Sequence, residues 1–225
     1  AISSAAAARI EGVRGTAVRV DPHRLAGWLE RFQDRHGTVE AIADAERLRC
    51  MAPDGAVAEI LLRWGPLPQG VDPLVAVTEQ VTRDRRVGAL IVRRKAHAVG
   101  VFDGPRLEQG EHASHYVQGR TKAGGWSQQR YARRRANQAD RAFAAAAADV
   151  EEVLLPIADG LEALVLGGDG AAVREVLADP AFPGLRDLAA RTLHPVYSTP
   201  DPNRGVLAGF GEVFRAVPIR LNELA

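Results

Sequence analysis

The stretch GRTKAGGWSQQRYARRR, residues 119–135, sets two adjacent glycines, a tryptophan and two glutamines directly before a cluster of arginines. Glycine reaches positive φ without a Cβ penalty and lets backbone come close to a ligand, so Gly124 and Gly125 read as a loop tip. Ser127 is placed to cap a helix, with Trp126 and Tyr131 as an apolar staple across the first turn. The pattern then stays helical from Ser127 to about Leu155, through the alanine-rich AFAAAAADVEEVLL, and Pro156 stops or kinks it.

Between residues 120 and 141, Arg120, Lys122, Arg130, Arg133, Arg134, Arg135 and Arg141 stand against Asp140 alone, a local charge of about +6 in a chain of net +1. At about 100° per residue, Ala132, Ala136, Ala139, Phe143, Val150 and Leu154 share one helix face, with Arg130, Arg134 and Arg141 opposite. The acidic partners that would turn such a face into i,i+4 surface pairs are missing. A guanidinium row matches phosphate geometry, so an RNA or DNA backbone is the natural partner. Arg120, Lys122, Trp126, Arg130, Arg133, Arg134 and Arg141 are the candidate contacts.

The glutamines need a different explanation. Gln128 falls at the expected first helical position, beside the glycines. Its amide does not titrate, which makes it a poor general acid or base. It donates and accepts hydrogen bonds at once, which suits orienting a water and stabilising a developing oxyanion. Gln129 offers a second register for the same role.

Outside this segment, 225 residues with 46% hydrophobic and 25% charged positions allow one large domain or two small ones. A single cysteine, Cys50, excludes an internal disulfide framework and a multi-cysteine metal site, and fits a reducing compartment. No apolar run approaches the roughly 18 residues needed to span a membrane. The start, AISSAAAARIEG, has no charged region ahead of an apolar one and reads as a flexible tail over residues 1–16.

Hydrophobic periodicity predicts a short strand at AVRVD and, after Asp21-Pro22, a helix carrying Leu25, Trp28, Leu29 and Phe32 and ending near Gly37. Two strands flank the Asp54-Gly55 turn. A helix from Asp72 to about Arg83 faces the core with Leu74, Val77 and Val81. Then VGALIVRRK, AHAVGVFDG and RLEQGEHASHYV read as a three-strand meander leading into the loop. Beyond the long helix, LEALVLGGDGAAVREVLAD reads as strand, turn and helix, and one more strand and helix follow around TLHPV and residues 205–214. Strands alternating with helices predict an α/β fold with a mixed β-sheet flanked by helices.

KAGGWSQQR followed by an arginine- and alanine-rich helix resembles the catalytic loop of the Vms-like release factors, in particular their actinobacterial branch of peptidyl-tRNA hydrolases. That family is related to the catalytic domain of eukaryotic and archaeal class-I release factors. Its Gly-x-x-Gln pattern is matched by Gly125-Trp126-Ser127-Gln128. The resemblance implies a ribonuclease H-like sheet from about Ala17 to Leu221 in a single domain, residues 17–225. It also implies a cytoplasmic enzyme, without cofactor or metal, whose loop enters the peptidyl-transferase centre of the large ribosomal subunit. There it would free a nascent chain from peptidyl-tRNA, with Gln128 placing the water, Gly124 and Gly125 giving reach, and the arginines on rRNA or the tRNA acceptor stem. Neither a membrane nor DNA is an expected partner. Two rival readings share the motif: cleavage within the tRNA 3′ end, with a ribose 2′-hydroxyl as nucleophile, and a non-catalytic RNA- or ribosome-binding module using the basic helix alone.

Weaker signals read as structural. LVLGGDGAAV has Val173 where a dinucleotide-binding turn would carry its third glycine. Glu108 and His112 share one face of an extended strand and Glu111 and His115 the other, so these four do not converge on a metal. Trp28, Trp64 and Phe32 are expected core anchors, and His194, before Pro195, is expected at a strand end.

Overall fold

The computed structural model describes residues 15–93, 95–114 and 126–225, with the backbone alone for residues 126–137. In chain order the strands are β1 (Thr16–Val20), β2 (Glu40–Ala43), β3 (Arg47–Met51), β4 (Val57–Leu61), β5 (Arg86–Arg93), β6 (Ala96–Asp103), β7 (Arg106–Ser114), β8 (Ala163–Gly168), β9 (Thr192–Tyr197) and β10 (Val217–Leu221). The helices are α1 (Leu25–His36), α2 (Pro73–Thr82), α3 (Trp126–Leu154), α4 (Gly170–Leu177), α5 (Leu185–Ala189) and α6 (Arg204–Arg215). Among the described residues no helix is long and apolar enough to cross a membrane. The chain divides into two compact units, one of residues up to Arg83 together with Arg215–Ala225, the other Asp84–Phe214.

In the first unit a five-stranded antiparallel sheet, order β1-β10-β4-β3-β2, carries α1 and α2 on one face. Local sequence accounts for the helices. The Asp21 carboxylate accepts from His23 N at 2.9 Å and Pro22 opens the short 3₁₀ turn that leads into α1. Gly37, at φ 93°, ends it. Asp72 caps α2 through Leu74 N at 2.7 Å. Leu25, Leu29, Phe32 and Val77 bury against Leu48, Cys50, Ala58, Ile60, Val217 and Ile219. Trp28 is half-buried and stacks on Phe32 with ring centroids 5.5 Å apart. The His36 ring meets Asp54 at 2.8 Å, tying the end of α1 to the β3–β4 hairpin. The backbone N–H of Ala56 and then His36 hold the Asp54 carboxyl below its ordinary pKa.

The second unit has the order β7-β6-β5-β8-β9. β5, β6 and β7 form the expected antiparallel meander, while β5/β8 and β8/β9 are parallel. A parallel neighbour needs a crossover, and α3 supplies one for β8 while α4 and α5 supply the other for β9. This is the ribonuclease H-like arrangement. Leu90, Val92, Val99 and Val101 face a layer made by α3, α4 and α5, including Val150, Val153, Leu154, Val173, Val176, Leu185 and Leu188. The opposite face takes α6, whose Phe214 meets Phe102 edge-on at 5.3 Å and whose Phe210 meets Tyr197 at 5.6 Å. Gly100 and Gly110 leave the space that Leu207 fills.

The structure differs from expectation in the extent of its mixed sheet and in three added elements. The mixed sheet does not run from Ala17 to Leu221: the strands up to Leu61 and the last strand form the separate antiparallel sheet. β2, β10 and α5 add elements that the periodicity leaves unmarked. β2 and α5 are too short to show a period, and Pro218 inside β10 argues against a strand paired on both sides.

Two consequences can be measured. Gly168 sits at φ 89°, and a Cβ there would run into the Val92 carbonyl, whereas Gly65, at φ 88°, has nothing within 4 Å. Gly168→Ala should therefore cost clearly more than the roughly 1 kcal/mol expected of Gly65→Ala, read from urea midpoints. Burial pushes the Cys50 thiol up to about 12. At neutral pH the native protein should resist alkylation until it unfolds, and fast labelling without loss of structure would contradict this packing.

Candidate functional site

Of the sequence-predicted residues, Arg120, Lys122, Gly124 and Gly125 lie outside the described residues. Trp126, Gln128, Gln129, Arg130, Arg133 and Arg134 lie on the first turns of α3. The helix begins at Trp126, so Ser127 is inside its first turn and not at the cap, and Gln128 is its third residue and not its first. Both glutamines therefore belong to the helix. Arg141 is exposed on α3, as expected, with no ion pair among the described residues.

The buried stripe of α3 is wider than a single face. Ala142, Ala146, Ala147, Val150, Val153 and Leu154 are buried, while Ala139 and Phe143 are half-buried. The helix packs against both the sheet and α4, so two adjacent rows are covered. Small alanines at the first contacts let the helix lie close to its neighbours.

One polar contact fastens this stripe. His97 on β6 is 1% exposed, and its Nε2 lies 2.6 Å from the Asp149 carboxylate on α3. An ionised carboxylate only accepts, so Nε2 carries the proton and donates. Sequence reasoning missed this pair. The signal was available: a histidine in the apolar run AHAVGV and an aspartate closing AFAAAAAD each needed a partner. Ala113 pairs with His97 and Ser114 with Ala96, so the strand that enters the loop ends beside the same anchor. From Asp149 back to Trp126, α3 runs 23 residues, about 34 Å at 1.5 Å per residue. The site is thus built as a shaft: its C-terminal half is buried, and its first turns carry the glutamines and arginines. The N-terminal end of a helix has positive electrostatic character of its own, which adds to the arginines.

The weaker candidates resolve structurally. Glu108 falls at a bulge in β7 and pairs with Arg86 and Arg106, each at 3.3 Å. Glu111 and His112 are exposed, and His115 lies outside the described residues. Among the described residues no group of three or more His, Cys, Asp or Glu is placed to hold a metal. The Asp169 carboxylate accepts from Ala171 N and Ala172 N at 2.8 and 3.2 Å, filling the position an external phosphate would need at the start of α4. His194 precedes a cis proline within β9. A cavity of about 660 Å³ between α4, α5 and β9 includes Arg174, Arg186, Thr192 and His194 among its lining.

A three-strand antiparallel meander followed by a long helix that crosses over to parallel strands defines this unit as a mixed α/β fold of ribonuclease H-like strand order. The profile of the Actinobacteria/chloroflexi VLRF1 release factors matches residues 85–220, more than half of the chain, and the protein belongs to that family. It is similar to peptide chain release factor subunit 1 of Aeropyrum pernix, 30% identical over 99 residues, covering 43% of this chain and 26% of that protein. Among solved structures, the archaeal termination factor aRF1 aligns with a TM-score of 0.42 at 17% identity, covering 71% of this chain and 47% of the other. Pelota of Archaeoglobus fulgidus aligns with a TM-score of 0.32 at 16% identity, covering 88% and 61%. The chain thus spans about a quarter of the curated relative and about half of aRF1.

The anchor has a measurable weight. Asp149→Ala should lower stability by about 1–3 kcal/mol, since it strands a buried imidazole N–H, and Asp149→Asn should lose less because its amide oxygen still accepts. Equal urea midpoints for wild type and Asp149→Ala would show that the pair does not fasten α3.

Proposed function

We propose that the protein is a peptidyl-tRNA hydrolase that frees nascent chains from tRNA on the large ribosomal subunit, acting in the cytoplasm. The observation that carries the reading is the sequence Gly125-Trp126-Ser127-Gln128, whose last three residues open helix α3, in a chain of a release-factor family. In this reading the loop enters the peptidyl-transferase centre. Water attacks the ester carbonyl, the bond to the 3′ ribose oxygen breaks, and the peptide leaves as a carboxylate while the tRNA keeps its terminal hydroxyls.

The chemistry asks little of the protein beyond placement. An ester is already labile, so holding a water in line and excluding alternatives supplies much of the acceleration. The Gln128 amide accepts a proton-side hydrogen bond from the water and offers a donor to the developing oxyanion. Gly124 and Gly125 permit close approach to RNA, and Arg120, Lys122, Trp126, Arg130, Arg133, Arg134 and Arg141 hold the phosphates around it. No cofactor enters the scheme.

Gln128→Ala should reduce release by about 10²–10³-fold while leaving ribosome binding nearly intact. Gln129→Ala should be milder, and the reverse order would move the catalytic role to Gln129. The 3′ end of the released tRNA separates the reaction classes. Ester hydrolysis leaves an intact terminal adenosine that its synthetase can recharge, whereas a shortened tRNA ending in a cyclic phosphate would replace hydrolysis with cleavage inside the tRNA.

A further inference from the structure

β9 is an edge strand of the mixed sheet, beyond β8. On that side α4 packs over β5 and β8, and α5, only five residues long, packs over β8. The cavity of about 660 Å³ opens in the space left beside them. Thr192, His194 and Val196 alternate along β9 and so present one face to it. Leu166 of β8 and Leu177 of α4, both buried, continue the floor, together with half-buried Ala189 of α5. The volume lies within the roughly 300–1,000 Å³ usual for small-molecule sites.

The charged groups stand at the rim. Arg174, Arg186 and His194 are exposed and line the cavity from α4, α5 and β9. The Arg186 side chain makes no hydrogen bond or ion pair among the described residues, and Arg174 uses only its Nε, on the Gly170 carbonyl at 3.0 Å. The Nη groups of both arginines therefore keep their donors. Glu175 and Asp187 follow the two arginines in sequence but are not in the lining, and among the described residues the lining holds no carboxylate. The backbone N–H groups at the start of α4 that would wrap a phosphate are taken by Asp169, which leaves the guanidiniums to meet an anion. The cavity is thus cationic at its rim and aliphatic at its floor.

We propose that this cavity binds a small amphipathic carboxylate, its apolar body on the floor and its head on Arg174 and Arg186. The forked N–H groups of a guanidinium match a planar carboxylate. A protein partner is disfavoured. Protein interfaces bury about 800 Å² on each partner around an apolar centre. Among the described residues of the second unit no large hydrophobic side chain is exposed, so apolar surface is confined to the concavity. Nucleic acid is disfavoured as well. Its phosphates would meet the rim alone and leave the floor uncovered, and no aromatic side chain in the lining offers a base a stacking partner. The assignment does not depend on what the glutamine loop hydrolyses.

The test uses the whole chain, with anilinonaphthalene sulfonate, itself an apolar anion, as fluorescent probe and decanoate as competitor. Decanoate should displace the probe from the folded protein, and decanol, of the same length without the charge, should do so at least about tenfold less well. The double variant Arg174→Ala, Arg186→Ala changes only exposed side chains and should weaken decanoate binding about tenfold or more, while lysine at both positions should lose less. Ala189→Phe should fill the floor and remove probe and decanoate binding together, and if it folds poorly the arginine variants still decide. Failure of decanoate to displace the probe, equal displacement by decanol, or unchanged affinity in the folded double variant would each overturn the proposal. So would displacement by a short RNA duplex or an acidic peptide in place of decanoate, which would assign the rim to a macromolecule. Gln128→Ala, assayed in parallel, should bind decanoate as the wild type does whether or not it abolishes release, so the two readings fail separately.

Discussion

The burial of one side of α3 against the mixed sheet is the constraint on which the second unit turns. The crossover that makes β8 parallel to β5 is α3 itself, so the same apolar stripe that closes the core sets the topology. The stripe starts with alanines and ends with Val150, Val153 and Leu154, and it is locked in rotation by His97 and Asp149. Once the C-terminal half of the helix is fixed in rotation, the backbone of its first turns, from Trp126 on, is carried with it.

This arrangement separates two demands that conflict in a catalytic loop. Close approach to a polyanion favours glycine and clustered positive charge, both of which oppose compact packing. The chain assigns packing to residues 142–154, and a continuous helix joins them to Trp126. The first unit meets its own charge differently, by placing one buried carboxylate beneath two arginines.

Much of this was legible in the sequence. The Asp21-Pro22 and Asp72-Pro73 helix starts, the Asp54-Gly55 hairpin, the meander and the long helix each rest on a local rule, and each stands within a residue or two of its expected place. What escaped was non-local or too short to show a period. β10 contains a proline and pairs with strands more than 150 residues away, and nothing near it in sequence announces that. The division into two sheets has the same origin, because periodicity tells what a segment is and not which sheet it joins. At the site, residue types and spacing pointed to the glycines, glutamines and arginines. The His97–Asp149 pair was hidden because each member lies in a run whose pattern is otherwise satisfied.

The place of β10 bears on how the chain is made. It lies between β1 and β4, so the first sheet lacks an interior strand until the last residues of that strand are available. Residues 84–214, whose sheet pairs only within themselves, have emerged by then. During synthesis the later unit is therefore free to finish first, while β1 waits without a strand partner and β2, β3 and β4 form a meander with an unpaired edge at β4. Closing the gap requires a contact that spans nearly the whole described sequence, the slow, high-contact-order step of this fold. The first sheet is complete only once β10, the strand between β1 and β4, has emerged.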